Sequence, residues 1–137
     1  MTLRVEALGE RHDLAGFASG TLELDGWLHQ HARQSMGHGT RTYLVVDAGD
    51  TIVGYFSLVP HVLDRGDAPK QLALGAPRQI PCILLAKLAL HHELQGQGLG
   101  VELLVCALAT IVEAARAVGG KVVIVDYHGP ARWHPMR

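Results

Sequence analysis

The chain has 137 residues, enough for one compact domain and too few for two, and its 48% hydrophobic content excludes a largely disordered chain. With 12 Lys and Arg against 13 Asp and Glu, the net charge is −1, so no global basic excess announces nucleic acid, although a local basic patch is compatible with it. No apolar leader follows Met1, and the longest apolar run, residues 80–90, is interrupted by Pro81 and Lys87 and is too short to span a bilayer, so a cytoplasmic protein without membrane contact is expected. Cys82 and Cys106 lie in apolar runs and read as buried, reduced thiols.

Residues 3–8 alternate Leu3, Val5 and Ala7 against Arg4, Glu6 and Leu8, which predicts a first strand. Thr21 then suits a helix N-cap, with Glu23 and Asp25 in the first turn, where acids favour the helix dipole. Leu24, Trp27, Leu28, His31 and Ala32 share one face of a helix expected to run to about Met36, where Gly37 and Gly39 end it. Residues 42–46 and 52–59 are β-rich and flank the turn 47–50, the pattern of a hairpin. Residues 60–79, with Pro60, Gly66, Pro69, Gly75 and Pro77, read as a loop with one short apolar turn at 72–74. Residues 82–90 form a nearly continuous apolar run, expected of a strand buried on both faces, with Pro81 tolerated at its start. A polar, glycine-rich turn at 91–100 leads into a helix over 98–118, whose apolar face is expected at Val101, Leu104, Leu108, Ile111, Val112 and Ala115. Gly119 and Gly120 stop it, residues 121–125 predict a last strand, and residues 127–137 form an irregular tail outside a domain of residues 1–126. The order is α/β, with a mixed sheet and flanking helices.

Chemistry concentrates in Gln95, Gly96, Gln97, Gly98, Leu99 and Gly100, between a buried strand and a helix N-terminus. The first amides of a helix lack internal partners and sit at the positive end of its dipole, and glycines allow close approach, so this turn suits a pyrophosphate. A Walker A loop is excluded because Val101 and Glu102 follow Gly100. A dinucleotide fingerprint fits Gly96 and Gly98 but meets Val101 where its third glycine belongs. A plain glycine turn without ligand is the bland alternative.

Leu88, Ala89 and Leu90 followed by Gln95-x-x-Gly98-x-Gly100 resemble the acyl-CoA signature of GNAT-type N-acetyltransferases. The blocks 17–20, 24–28, 32–34, 40–43 and 53–58, in that order, resemble the tRNA-acetylating toxins of toxin–antitoxin pairs, and the likeness spans about residues 3–126. It implies a GNAT-like sheet, acetyl-CoA as acyl donor, and acetylation of the amino group of aminoacyl-tRNA, with a ribbon-helix-helix antitoxin as partner. It also implies that the backbone of Leu88, Ala89 and Leu90 pairs with the pantetheine arm and that the amides of 95–100 hold the pyrophosphate. A protein or a small amine is the alternative acceptor, and an acyl-CoA-binding remnant with impaired catalysis the alternative function.

The pattern departs from the family after Asp126. Tyr127 stands where the family has Ala, and the Phe-Tyr…Gly-Phe segment that supplies the tyrosine acid is absent, as are the C-terminal helix and strands. No catalytic residue is therefore assigned, and weak or absent turnover with cofactor binding retained is expected. An uncovered strand at 122–125 would present an edge, so a homodimer or poor solubility is expected.

Elsewhere the bland reading is favoured. His91, His92 and Glu93 read as a solvated turn, Trp27 as core, and Tyr43 and Tyr55 as packing. His29 and His31 point apart on a helix, and with no paired Cys motif no metal site is expected. Arg33, Arg41, Arg78 and Lys87 read as scattered surface charge rather than an RNA path.

Overall fold

A computed structural model describes residues 2–68 and 70–118. One sheet of order β1-β2-β3-β4 is built from Arg4–Ala7, Arg41–Val46, Ile52–Asp64 and Gln79–Leu90. Every neighbouring pair is antiparallel. The four described strands therefore form an antiparallel sheet rather than the mixed one expected; the strand expected at 121–125 lies outside the described residues, as do Tyr127 and the tail. Helices α1 (Leu22–Gln30), α2 (Ala32–Ser35), α3 (Lys70–Ala73) and α4 (Leu99–Val118) accompany the sheet among the described residues. Among the described residues, no helix is long and apolar enough to cross a membrane.

Strand alternation sends successive side chains to opposite faces, and two cores result. On one face Leu28 and Ala32 of α1 and α2 meet Leu44, Val46, Tyr55 and Ala89. On the other, Leu103, Ala107 and Ile111 of α4 meet Val45, Val53, Phe56, Leu58 and Leu85. The buried stripe of α4 is thus Leu103, Ala107, Ile111 and Ala115: Ile111 and Ala115 lie on the face expected from the sequence, Leu103 and Ala107 were not expected there, and Val101, Leu104 and Val112 are exposed. The helix is apolar on several sides, so periodicity does not choose between them. The sheet takes the stripe with two alanines, which lets the helix axis approach closely.

Three further expectations are corrected. Residues 60–79 are a loop only in part: β3 runs on through Pro60 to Asp64 and β4 begins at Gln79, with Pro60 opposite Ile83 and Val62 opposite Pro81, while the connection between them carries a 3-10 turn (Arg65–Asp67) and α3, close to the short turn expected at 72–74. Both prolines are tolerated because β2 stops pairing with β3 at Leu58 and β4 has no neighbour on its second side, so that among the described residues neither proline stands where a ladder bond is needed. Nor is the strand enclosed on both faces throughout: Lys87, Leu88 and Leu90 are only half-buried. The first helix is divided at His31, where the backbone leaves helical values (φ −125°, ψ −23°). There Ser35 Oγ donates to the His31 carbonyl at 2.8 Å, a side-chain bond that bends helices.

Cys82 is buried, whereas Cys106 is only half-buried. Burial pushes both thiols up, which leaves them poor nucleophiles near neutrality.

β1 carries a charge cluster with a pH signature. Glu6 accepts from His12 Nε2 at 3.0 Å and from Arg4 at 3.0 Å, with Arg11 at 3.2 Å. The His12 bond and then the Arg4 bond hold its carboxyl down at about 2, from an ordinary 4.5. A depressed carboxyl contributes stability that is fully present above the unfolded value and lost as pH falls through the folded one. Urea midpoints followed from pH 5 to pH 2 should therefore fall more steeply for the parent than for Glu6→Gln, and parallel curves would refute this assignment.

Candidate active site

The bulge between β3 and β4 sets the geometry. Ser57 pairs with Lys87 and Leu58 with Leu85, leaving Ala86 as the extra residue. Such a bulge bends and twists the strand that carries it. Immediately after it, Leu88, Ala89 and Leu90 pair with Phe56, Tyr55 and Gly54 on one side only. On the other side no described strand adjoins β4, so alternate amides and carbonyls face outward without a partner among the described residues, an edge of the kind that pairs with an extended, amide-bearing ligand.

The chain then turns sharply. His91 N donates to the Val53 carbonyl at 2.8 Å, ending the strand. A 3-10 turn, His92–Leu94, follows, capped where His91 Nδ1 accepts from Glu93 N at 3.2 Å. Gly96 and Gly98 both adopt φ +81°, the left-handed region where a side chain is strained, and α4 begins at Leu99. A Cβ built on Gly96, Gly98 or Gly100 would meet nothing within 4 Å, so the loop surface is open. The amides of Gly96, Gln97 and Gly98 donate to no backbone acceptor among the described residues, and those of Leu99 and Gly100 belong to the first turn of α4. Together they form a concentrated patch of unpaired N–H donors at the positive end of a 20-residue helix. That arrangement is suited to a phosphate-bearing ligand.

Gln95 differs from the five residues after it. Its amide already donates to the His92 carbonyl at 3.4 Å, and its side-chain Nε2 donates to Ser19 O at 2.8 Å and Leu90 O at 3.0 Å. It therefore braces the loop rather than offering a free donor. Gln97 Nε2 is tied to Glu93 O at 3.2 Å.

The brace has a counterpart that the pattern of the sequence did not expose. Thr21 has the extended backbone of an N-cap but makes no side-chain cap bond. Asp25 reaches back instead, accepting from Ser19 N at 2.8 Å, Ser19 Oγ at 2.7 Å and Gly20 N at 3.3 Å. With His92 N on Ala18 O at 2.9 Å, this fixes segment 17–20 against the turn preceding the glycine loop. Gly54 was also missed, although an isolated glycine in a strand is the usual sign of close backbone approach. A Cβ there would stand 2.8 Å from Ala89 O and 2.9 Å from a Leu103 methyl, so its absence lets α4 seat directly on the strand pair.

Two cavities lie elsewhere. One of about 790 Å³ sits at the far end of the β3–β4 ribbon, between Tyr43, Leu58, Val62 and Ile83, and shares no residue with 88–100. Another of about 530 Å³ is lined by Glu6, Arg11, Asp50 and Thr51 and touches the turn only through His91. No cluster of three or more His, Cys, Asp or Glu suited to a metal occurs among the described residues.

Comparison with known proteins places this geometry. The chain is 31% identical over 126 residues to a tRNA-acetylating toxin of Mycobacterium tuberculosis, spanning 91% of this chain and 76% of that protein. It is similar to AtaT complexed with acetyl-methionyl-tRNAfMet, with a TM-score of 0.77 and 28% identity over 93% of this chain and 78% of that one. A KacT carrying a single tyrosine-to-phenylalanine substitution gives a TM-score of 0.76 and 28% identity, over 92% of this chain and 78% of that one. AtaT bound to the C-terminus of the antitoxin AtaR and to acetyl-CoA gives 0.70 and 26%, over 92% and 76%. No sequence-family profile matches the chain.

Proposed function

Because the chain belongs to the tRNA-acetylating toxins, N-acetyltransferases of GNAT type, we propose that it transfers the acetyl group of acetyl-CoA to the α-amino group of an aminoacyl-tRNA. The observation that carries this reading is the continuity of two complementary surfaces. An outward-facing strand edge at Leu88, Ala89 and Leu90 runs through one braced turn into the unpaired amides of Gly96 to Gly100. Acetyl-CoA has the matching sequence of groups, an amide-bearing pantetheine arm and then a pyrophosphate. The complexes of the similar toxin with acetyl-CoA and with an acetylated aminoacyl-tRNA support the choice of donor and acceptor.

In this reading the protein acts mainly by positioning. An α-amino group titrates near about 8, so a useful fraction is neutral at pH 7 and needs no strong base. The amine nitrogen attacks the thioester carbon, the C–N bond forms as the C–S bond breaks, and one amine proton is released. The departing thiolate, whose parent thiol titrates near about 8.5, takes up a proton. Were the pantetheine arm held edge to edge with β4, the thioester would be directed toward the bulge at Ala86, and fixing two reactants in such an orientation is a large contribution that a scaffold of this kind can make. The complex of the similar toxin with AtaR also supports an antitoxin as protein partner. Its ribbon-helix-helix architecture and a homodimeric toxin are further parts of the proposal.

Incubation with labelled acetyl-CoA and three competing acceptors, charged tRNA, a peptide and a polyamine, tests this. Label should appear on charged tRNA and be released by mild base as an N-acetylamino acid. Label on the peptide or polyamine alone would replace the acceptor, and no transfer from bound acetyl-CoA would remove the enzymatic reading.

A further inference from the structure

We propose that Lys87, seated on the indole of Trp27, is the docking cation for the terminal phosphodiester of the aminoacylated RNA 3′ end; the proposal rests on the function proposed above. Adjacent strand residues point to opposite faces, so while Leu88 packs with the α4 core, Lys87 emerges on the side of α1. There its Nζ lies 5.2 Å from the centroid of the Trp27 ring. The indole is held from behind: it stacks on Tyr55 at 6.2 Å with planes 12° apart, and the wholly buried Tyr55 donates its hydroxyl to Leu24 O at 2.6 Å. A half-buried ammonium over an aromatic face is oriented, and its charge is not neutralised.

No ion pair among the described residues includes Lys87. Asp25, the acid on the inward part of α1, is already engaged by Ser19 and Gly20. An arriving anion would complete this site. The donor's own pyrophosphate is assigned to the other end of the motif, beyond Leu90 and the turn, so Lys87 stands at the acetyl end. The amine to be acetylated must come within about 3–3.5 Å of the thioester carbon. It is carried on the terminal ribose, whose 5′ phosphodiester follows within a few bonds, an interval that the four-carbon stem of lysine can span. Lys87 then acts as a binding residue, and Trp27 as the residue that positions it.

Binding of a labelled CCA oligonucleotide carrying an amide-linked amino acid, followed by fluorescence anisotropy over a salt series, tests this without requiring turnover. Lys87→Gln should weaken binding on the order of tenfold and flatten the slope of log K against log salt by about 0.7. Lys87→Arg should keep the slope, and Trp27→Leu should weaken affinity while retaining it. Aminoacyl-adenosine without a phosphate should bind the parent and Lys87→Gln alike. Acetyl-CoA affinity, titrated on the same preparations, should be unchanged; a folded parent that fails to bind acetyl-CoA would defeat the proposed function while the oligonucleotide series still judges Lys87. Unchanged oligonucleotide affinity and slope in Lys87→Gln, parallel loss of phosphate-free ligand, or no binding by the parent would each overturn the proposal.

Discussion

A Gly98→Glu chain should fold as the parent does and lose acetyl-CoA binding by more than about a hundredfold. Gly98 sits at φ +81°, and a non-glycine residue in that region costs roughly 1–2 kcal/mol. The site is otherwise open, since a Cβ there meets nothing within 4 Å, so the protein itself has no steric reason to unfold. The glutamate carboxylate would instead occupy the mouth of the amide patch, compete for the donors of Gly96 to Gly100 and repel the pyrophosphate. Gly98→Ala separates the two effects, because it carries the backbone penalty alone and should lose on the order of tenfold. Calorimetric titration gives the affinities and far-ultraviolet circular dichroism the fold. If folded Gly98→Glu binds acetyl-CoA as the parent does, the glycine loop is not the phosphate cradle.

The largest effect on stability is expected at Gly54. It pairs with Val45 on one side and Leu90 on the other, at the centre of the sheet. An added Cβ would meet the Ala89 carbonyl at 2.8 Å and both Leu103 methyls at 2.9 and 3.0 Å. Leu103 can rotate in part, but the carbonyl is backbone and yields only if β3 parts from β4. Gly54→Ala should therefore cost about 1–3 kcal/mol. Gly54→Val adds two methyls in the same space and should approach the whole stability of a small domain, about 5–15 kcal/mol. Urea unfolding checks both, and a Gly54→Ala midpoint equal to the parent's would show that α4 is not seated as described. Because Leu90 is the strand residue opposite Gly54, acetyl-CoA affinity should fall together with stability.

These two glycines also show what the sequence made legible. Gly98 could be read directly, since glycine spacing before a helix start has a local physical meaning. Gly54 carried only the general sign of an isolated strand glycine, because what approaches it, Ala89 and Leu103, lies far along the chain. The same division runs through the fold. β1, β2, the first part of β3 and α4 follow from local periodicity and turn chemistry. The extension of β3 and β4 past Pro60 and Pro81 does not, because a proline is acceptable or not according to which strand edge lies beside it, a property of the sheet. The buried stripe of α4 was legible only in part, at Ile111 and Ala115, for a related reason: with apolar residues on several sides, only the shape of the sheet selects Leu103 and Ala107 over Val101 and Val112. Within the candidate site, the strand and loop were found as a segment, whereas the brace made by Asp25, Ser19 and Gln95 joins residues 76 apart and left no periodic trace.

Amide hydrogen exchange with and without acetyl-CoA tests the central assignment most directly. The account predicts that added acetyl-CoA slows exchange at the outward amides of residues 88–90 and at 96–100, where donors lack acceptors outside the first turn of α4 among the described residues. Protection confined to the cavity at the far end of the ribbon, around Leu58, Val62 and Ile83, with residues 96–100 unchanged, would contradict it.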